Sequence, residues 1–77
     1  VTNSSQYIGV ASAKSIALKH AKLNSSKVTF TKAKLTTDDG IKVYDVEFYA
    51  GSTEYDYEIN AKTGRIIEFS SEPIDED

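Results

Sequence analysis

The chain has 77 residues, a net charge of −3 and a pI of about 5.0, with no cysteine, methionine or tryptophan. That is one domain near the lower limit for independent folding, so its core is thin, and with no disulfide available it relies on packing alone. The acidic balance argues against nucleic acid or anionic lipid as a partner. The lack of cysteine removes thiolate chemistry and soft metal ligation, and leaves the redox compartment unread. No apolar run approaches the roughly 18 residues of a membrane span, so direct membrane insertion is not expected. The N-terminus VTNSSQ is polar, lacks an initiator methionine and carries no secretory signal, as in a mature or excised fragment.

Residues 1–7 read as a polar lead-in. The following IGVASAKSIALKHAKL has helical period: Ala13, Ile16, Ala17, His20 and Ala21 form one stripe. Gly9 serves as N-cap, weaker than Ser or Thr, with Ile8 stapling onto Ala13. The helix is expected to stop near Lys22, where Lys19 and Lys22 suit its C-terminal dipole. The stripe is mostly alanine, so the helix must lie close to what it covers. After the connector NSSK the period changes to two. VTFTKAKLT reads as a strand, TDDG as a turn, IKVYDVEFY as a second strand and AGS as a turn. TEYDYEI is a third strand, NAKTG a third turn and RIIEFS a shorter fourth strand. The tail SEPIDED is expected to fray into solvent.

Parity sets the first hairpin. With Asp39-Gly40 as a two-residue type I′ loop, Asp38 faces Ile41. Leu35 then faces Tyr44, Ala33 faces Val46 and Thr31 faces Phe48. On the opposite side Lys34 meets Asp45 and Lys32 meets Glu47. The register that buries the apolar set therefore also pairs opposite charges, two criteria that are independent of each other. Tyr55, Tyr57 and Ile59 continue the apolar face of Tyr44, Val46 and Phe48, while Glu54, Asp56 and Glu58 face away. Short consecutive turns imply an antiparallel meander of three to four strands. The fold class is α+β, with the N-terminal helix on one face of the sheet.

The AKSIALKHA helix, the DDG turn, VYDVEFYAG, the EYDYEINAKTG strand-turn and the closing RII, in that order and spacing, resemble the PepSY domain, a family named for peptidase propeptides and a spore-germination protein. The likeness runs from about Ile8 to Phe69, so residues 1–77 read as a single such domain with an ordered core of about 8–70. The resemblance implies a helix on an antiparallel sheet, a bacterial secreted, membrane-anchored or lipoprotein context, often tandem copies, and an inhibitory or regulatory role toward peptidases. It brings no catalytic residues and no cofactor. Three positions depart from the pattern: Gly9 stands where Ser or Thr often begins the helix, Lys22 where Gly often ends it, and Asn60 where Asp is frequent.

The candidate chemistry is sparse. His20 is the one histidine, and Ser15, five residues away, points elsewhere on the helix. No nucleophile–base pair forms, and the expectation is no enzyme. A lone histidine without cysteine does not make a zinc site. Asp38 and Asp39 supply too few of the six to eight oxygens calcium takes, so no metal is expected. NSS at 3–5 and 24–26 fits the glycosylation pattern by chance.

The outer sheet face holds Asp45, Glu47, Glu54, Asp56 and Glu58, neutralised on one flank by Lys32 and Lys34. It reads as a solvated face, or else as a recognition surface for a basic or polar partner or a weak calcium site. Tyr49 and Phe30, near each other on that face, read as a cross-strand packing pair, with a small exposed aromatic patch for a partner as the alternative. The edges Val28–Leu35 and Arg65–Ser70 offer strand addition as a second docking route. The sequence thus points to a non-catalytic binding or regulatory module whose protein partner is a peptidase or another domain of the parent chain. The alternative is a spacer repeat in a tandem cell-surface protein with no ligand of its own.

Overall fold

A computed structural model describes residues 7–74. The polar lead-in before Tyr7 and the last acids of the tail lie outside the described residues. Helix α1 spans Val10–Ala21, and a single 3₁₀ turn, Ser25–Lys27, follows it. Strands β1 (Thr29–Asp38), β2 (Ile41–Ala50), β3 (Thr53–Asn60) and β4 (Ile66–Pro73) form one antiparallel sheet in the order β1-β2-β3-β4. The helix covers one face, as the α+β reading requires.

The first hairpin has the register that parity and charge dictate. Asp38 faces Ile41, Leu35 faces Tyr44, Lys34 faces Asp45 and Lys32 faces Glu47. Asp39 and Gly40 both have positive φ (59° and 82°), as a type I′ loop demands. Beyond Lys32 the expectation fails. A register shift between Phe30 and Lys32 puts Phe30, not Thr31, opposite Phe48. The extra residue turns Phe30 to the inner face, where its ring lies 5.3 Å from that of Phe48 and under the Lys14 ammonium. Thr31 instead donates its hydroxyl to the Glu47 carbonyl at 3.3 Å.

The fourth strand also outruns its expected end. β4 continues through Ser71 and Glu72 to Pro73, which faces Thr53, and the Ile74 N–H donates to the Ser52 carbonyl at 2.7 Å. The first part of the tail is thus paired rather than frayed.

The core is built from the inner face. Val46, Phe48, Tyr57, Ile59 and Tyr44 are buried beneath Ala13 and Ala17, both 0% exposed. Alanine at those positions lets the helix axis approach the sheet closely enough to exclude water with few side-chain atoms. The aromatic rings of Phe48, Tyr55 and Tyr57 stack in a row across β2 and β3 at 5.1 and 5.9 Å. The sheet tethers both ends of the helix. The Tyr44 hydroxyl accepts from the Gly9 N–H at 3.0 Å, and the Tyr57 hydroxyl meets His20 Nδ1 at 2.9 Å.

Glycine at the N-cap is explained by backbone. Gly9 has φ 97° and ψ 154°, a region closed to Ser or Thr, so the helix starts without a side-chain cap. At the other end Lys22 adopts αL (φ 62°). Its N–H bonds the Lys19 carbonyl, and that of Leu23 the Leu18 carbonyl, which is a Schellman closure carried by a non-glycine residue. Asn60 organises the last turn: its side-chain oxygen accepts from Lys62 N–H (2.8 Å) and Thr63 N–H (3.0 Å). Gly64 closes that turn at φ 80°, and a Cβ there would sit 3.1 Å from Ile16 Cδ1.

Two stability changes of opposite sign follow. Lys22→Gly removes the αL penalty of about 1 kcal/mol and raises the melting temperature by roughly 4–8 °C for a domain of this size. Gly64→Ala pays both backbone strain and a collision with Ile16, and lowers stability by about 1–3 kcal/mol. Thermal denaturation of the two variants beside the parent chain checks both.

Candidate functional site

The face of the sheet turned away from α1 is uncovered among the described residues. Strand alternation delivers Asp45, Glu47 and Tyr49 from β2 and Glu54, Asp56 and Glu58 from β3 to that face. In register, Asp45 faces Glu58, Glu47 faces Asp56 and Tyr49 faces Glu54. Like charges directly opposite one another are destabilising in a sheet, so the arrangement costs energy that the fold has to recover elsewhere. The rows continue into β4, where Glu68 faces Glu58, Ser70 faces Asp56 and Glu72 faces Glu54. Sequence reasoning missed Glu68 and Glu72 as members of this face. Their parity with Ser70 in IIEFSSEP was the available signal: Glu68 lay unread inside the expected strand, and Glu72 was hidden by treating the chain after Ser70 as tail.

Compensation comes from one side. Lys32 Nζ lies 3.5 Å from Asp45 Oδ2 and 3.3 Å from Glu47 Oε2. The hydrogen bond it donates to Glu47 and the charges of both carboxylates hold the Lys32 ammonium above its ordinary pKa. Asp45, Glu47 and Asp56 bring carboxylate oxygens within 4.8 Å of one another. Those are the groups that would offer oxygens to a hard cation, but they supply fewer than the six to eight calcium takes, and the Lys32 ammonium already stands against two of them. Asp56 is pushed above its ordinary range, first by burial and then by Glu47 and Asp45, with Lys32 opposing.

Glu58 is the more perturbed group. Its pKa is pushed up to about 7 by desolvation, by a hydrogen bond with Asp38, and by the charges of Asp38, Glu68 and Asp45. Asp38 sits opposite Ile41 and Glu58 opposite Asp45, so the line joining them crosses β2 at Val43. That valine is only 1% exposed although its parity places it on the outer side. A shallow depression of about 290 Å³ opens over this region, lined by Asp45, Glu47, Asp56, Glu58 and Glu68 with Phe69 and Ser70.

Tyr49 stands on the outer face, 38% exposed. Phe30 does not join it, because the β1 bulge turns that ring to the inner face against Phe48, so the two rings form neither an outer-face pair nor an exposed patch. His20 is a packing residue: besides its bond to Tyr57, its ring lies 4.4 Å from that of Phe69. Burial and the neighbouring Tyr55 push the Tyr57 phenol up, so it stays a neutral partner for the imidazole.

One helix on one face of a four-stranded antiparallel sheet, with the other face open and acidic, defines a small two-layer α+β module. The family model for PepSY, the peptidase propeptide and YPEB domain, matches residues 7–69, and the chain belongs to that family. It is 42% identical over 64 residues to an uncharacterized protein of Streptococcus pyogenes serotype M6. The match covers 83% of this chain and 49% of the relative, so the chain spans about half the length of the curated relative it matches. No solved structure matches it significantly. The family is one of propeptide and regulatory domains, generally non-catalytic.

The raised carboxyl of Glu58 sets a pH dependence. Between its ordinary value of 4.5 and about 7 the folded chain binds more protons than the unfolded one, so stability falls as pH rises through that window. The upward shift of Asp56 acts in the same direction. The melting temperature is therefore higher at pH 5 than at pH 8, and Glu58→Gln raises the pH 8 value and flattens the profile. Calorimetry of both chains across that range is the check, and a profile that rises with pH would contradict the assignment.

Proposed function

We propose that the chain is a non-catalytic binding and regulatory module of a bacterial secreted or envelope protein. Its role is to engage a polypeptide partner, either a peptidase or another domain of its parent chain. The observation that carries this reading is the division of labour between the sheet's two faces. One face carries the helix and the core. The other keeps Asp45, Glu47, Glu54, Asp56 and Glu58 together at an energetic cost, with Tyr49 beside them. A partner bearing Lys or Arg relieves that repulsion on docking, so the unfavourable charge of the free domain becomes part of the driving force for association. Tyr49 supplies an amphipathic anchor of the kind that carries interface energy. Membership in a family described by peptidase propeptides supports a peptidase as the partner class, and the streptococcal relative supports a bacterial setting.

The test is capture from bacterial envelope extract with the domain immobilised, and identification of what is retained. Capture of a peptidase or a sister domain that weakens as salt is raised is the expected result. It is lost when Asp45, Glu47, Glu54 and Asp56 are changed together to Asn or Gln. Those changes remove like-charge contacts together with the exposed Lys32 ion pairs and leave the buried core untouched, and circular dichroism verifies that the variant stays folded. Capture that survives neutralisation moves the site off this face, and no specific capture by either chain favours the spacer reading.

A further inference from the structure

The sheet's two open edges are unlike each other, and the difference specifies a partner. At the β1 edge the acidic rows are neutralised from within: Lys34 faces Asp45 and Lys32 faces Glu47. At the β4 edge the rows end on glutamates. Asp45–Glu58–Glu68 and Tyr49–Glu54–Glu72 run across the sheet and stop at Glu68 and Glu72, with no cation paired to either among the described residues. Arg65 precedes the strand and lies outside both rows. Below the same edge, on the helix side, the apolar layer is unfinished. Phe69 stacks on Tyr57 at 5.6 Å and meets the His20 ring, yet remains 54% exposed because α1 does not reach over it. Ile67, displaced by the irregularity opposite Ile59, and Ile74 are exposed along the same strand. Among the described residues no strand pairs with the outer side of β4, so alternate backbone N–H and C=O groups there point to solvent.

We propose that the open edge of β4 is a docking site for an extended polypeptide segment in which apolar residues alternate with Lys or Arg, added as a fifth strand. This deepens the reading given under Proposed function, and rests on it for the statement that the partner is a polypeptide. The pattern required is the one β1 uses on the opposite flank, Lys32-Ala33-Lys34-Leu35. Cations on the outer side meet the acidic rows, and small or apolar residues on the inner side continue the core. The incoming strand's backbone satisfies the exposed edge, its basic residues face Glu68 and Glu72, and its apolar residues cover Phe69 beside His20. Affinity comes from the ladder hydrogen bonds and the desolvated Phe69, and selection of a basic segment comes from the glutamates.

The experiment uses the whole domain and a short synthetic peptide alternating lysine with leucine. Its controls are the same peptide with glutamate for lysine, a scrambled peptide, and a version N-methylated at alternate residues to block ladder bonds. Fluorescence anisotropy reports affinity, and hydrogen exchange reports the site. The lysine peptide is expected to slow exchange along Glu68–Ser71. N-methylation on one register should weaken binding by more than about tenfold, the size of a few lost hydrogen bonds. Glu68→Lys with Glu72→Lys should cost on the order of threefold to tenfold, in line with two facing charge pairs. Both substitutions are on exposed side chains and leave Phe69 in place, so folding is not at stake. A lysine peptide that binds but protects only β1 or the outer face overturns this edge while leaving a polypeptide-binding role standing. Equal binding by the glutamate peptide overturns the charge selection. Failure of every peptide to bind, joined with failure of the envelope capture, removes the binding reading itself.

Discussion

The structure depends on two tyrosine hydroxyls that have to be satisfied where they are buried. Tyr44 and Tyr57 lie on the inner face of neighbouring strands, almost wholly removed from water. A buried hydroxyl without a partner costs about 1–3 kcal/mol, a large fraction of what so small a domain has in reserve. Each finds its partner at an end of α1, Tyr44 at the Gly9 N–H and Tyr57 at the His20 ring. The helix is therefore pinned at two points along its axis as well as laid down by hydrophobic contact. Ala13 and Ala17 make the arrangement possible, because larger side chains would lift the axis and break both bonds at once. Gly9 follows from the same requirement: the chain must turn through a left-handed conformation to present its N–H to Tyr44.

A helix of 12 residues is about 18 Å long, whereas strands of 10 residues run about 33 Å. The helix cannot cover the sheet it serves. What it leaves bare is uneven: Leu35 at one flank and Phe69 at the other stay exposed while the middle is dry. On the proposed reading the surplus length is docking surface, and the charges on the opposite face decide how it is used. Lys32 and Lys34 close the account on the β1 side. Nothing among the described residues does so on the β4 side, so the electrostatic asymmetry and the unfinished apolar layer coincide on one edge.

Much of this was legible in the sequence because alternation with period two is a strong constraint. A register that buries Tyr44, Val46 and Phe48 has no choice but to set Lys34 against Asp45 and Lys32 against Glu47, and the structure does both. The helix stripe and its end at Lys22 were legible for the corresponding reason at period 3.6. What escaped was every departure from strict period. The bulge at Phe30 inserts one residue, and nothing in VTFTKAKL marks it, since Phe30 and Thr31 both suit a strand. Proline and acids made the end of the chain read as tail, although an edge strand tolerates a proline whose missing N–H points away from its neighbour. Val43 escaped because its parity places it on the outer side, where no local pattern announces burial. The composition of the acidic face was largely legible, but its extent was not: Glu68 required following the rows into β4, and Glu72 belongs to the face only if β4 is long.

The same physical facts explain why such a domain suits recognition better than catalysis. Catalytic carboxylates are tuned by burial in a walled cleft, where two groups can be driven to different protonation states and water kept out. Here the carboxylates stand on a flat face over a shallow depression; Asp56 and Glu58 are raised first by desolvation, and the neighbouring carboxylates add their repulsion. Mutual repulsion of that kind is relieved by any array of positive charge spaced like a strand, because the rows are set by sheet geometry, about 4.8 Å between strands and about 7 Å between alternate residues. A surface with that spacing reads the repeat of an extended chain better than the shape of a small molecule. On the proposed reading, the information it selects on is the alternation of charge and grease along a backbone, the same information that folds the domain.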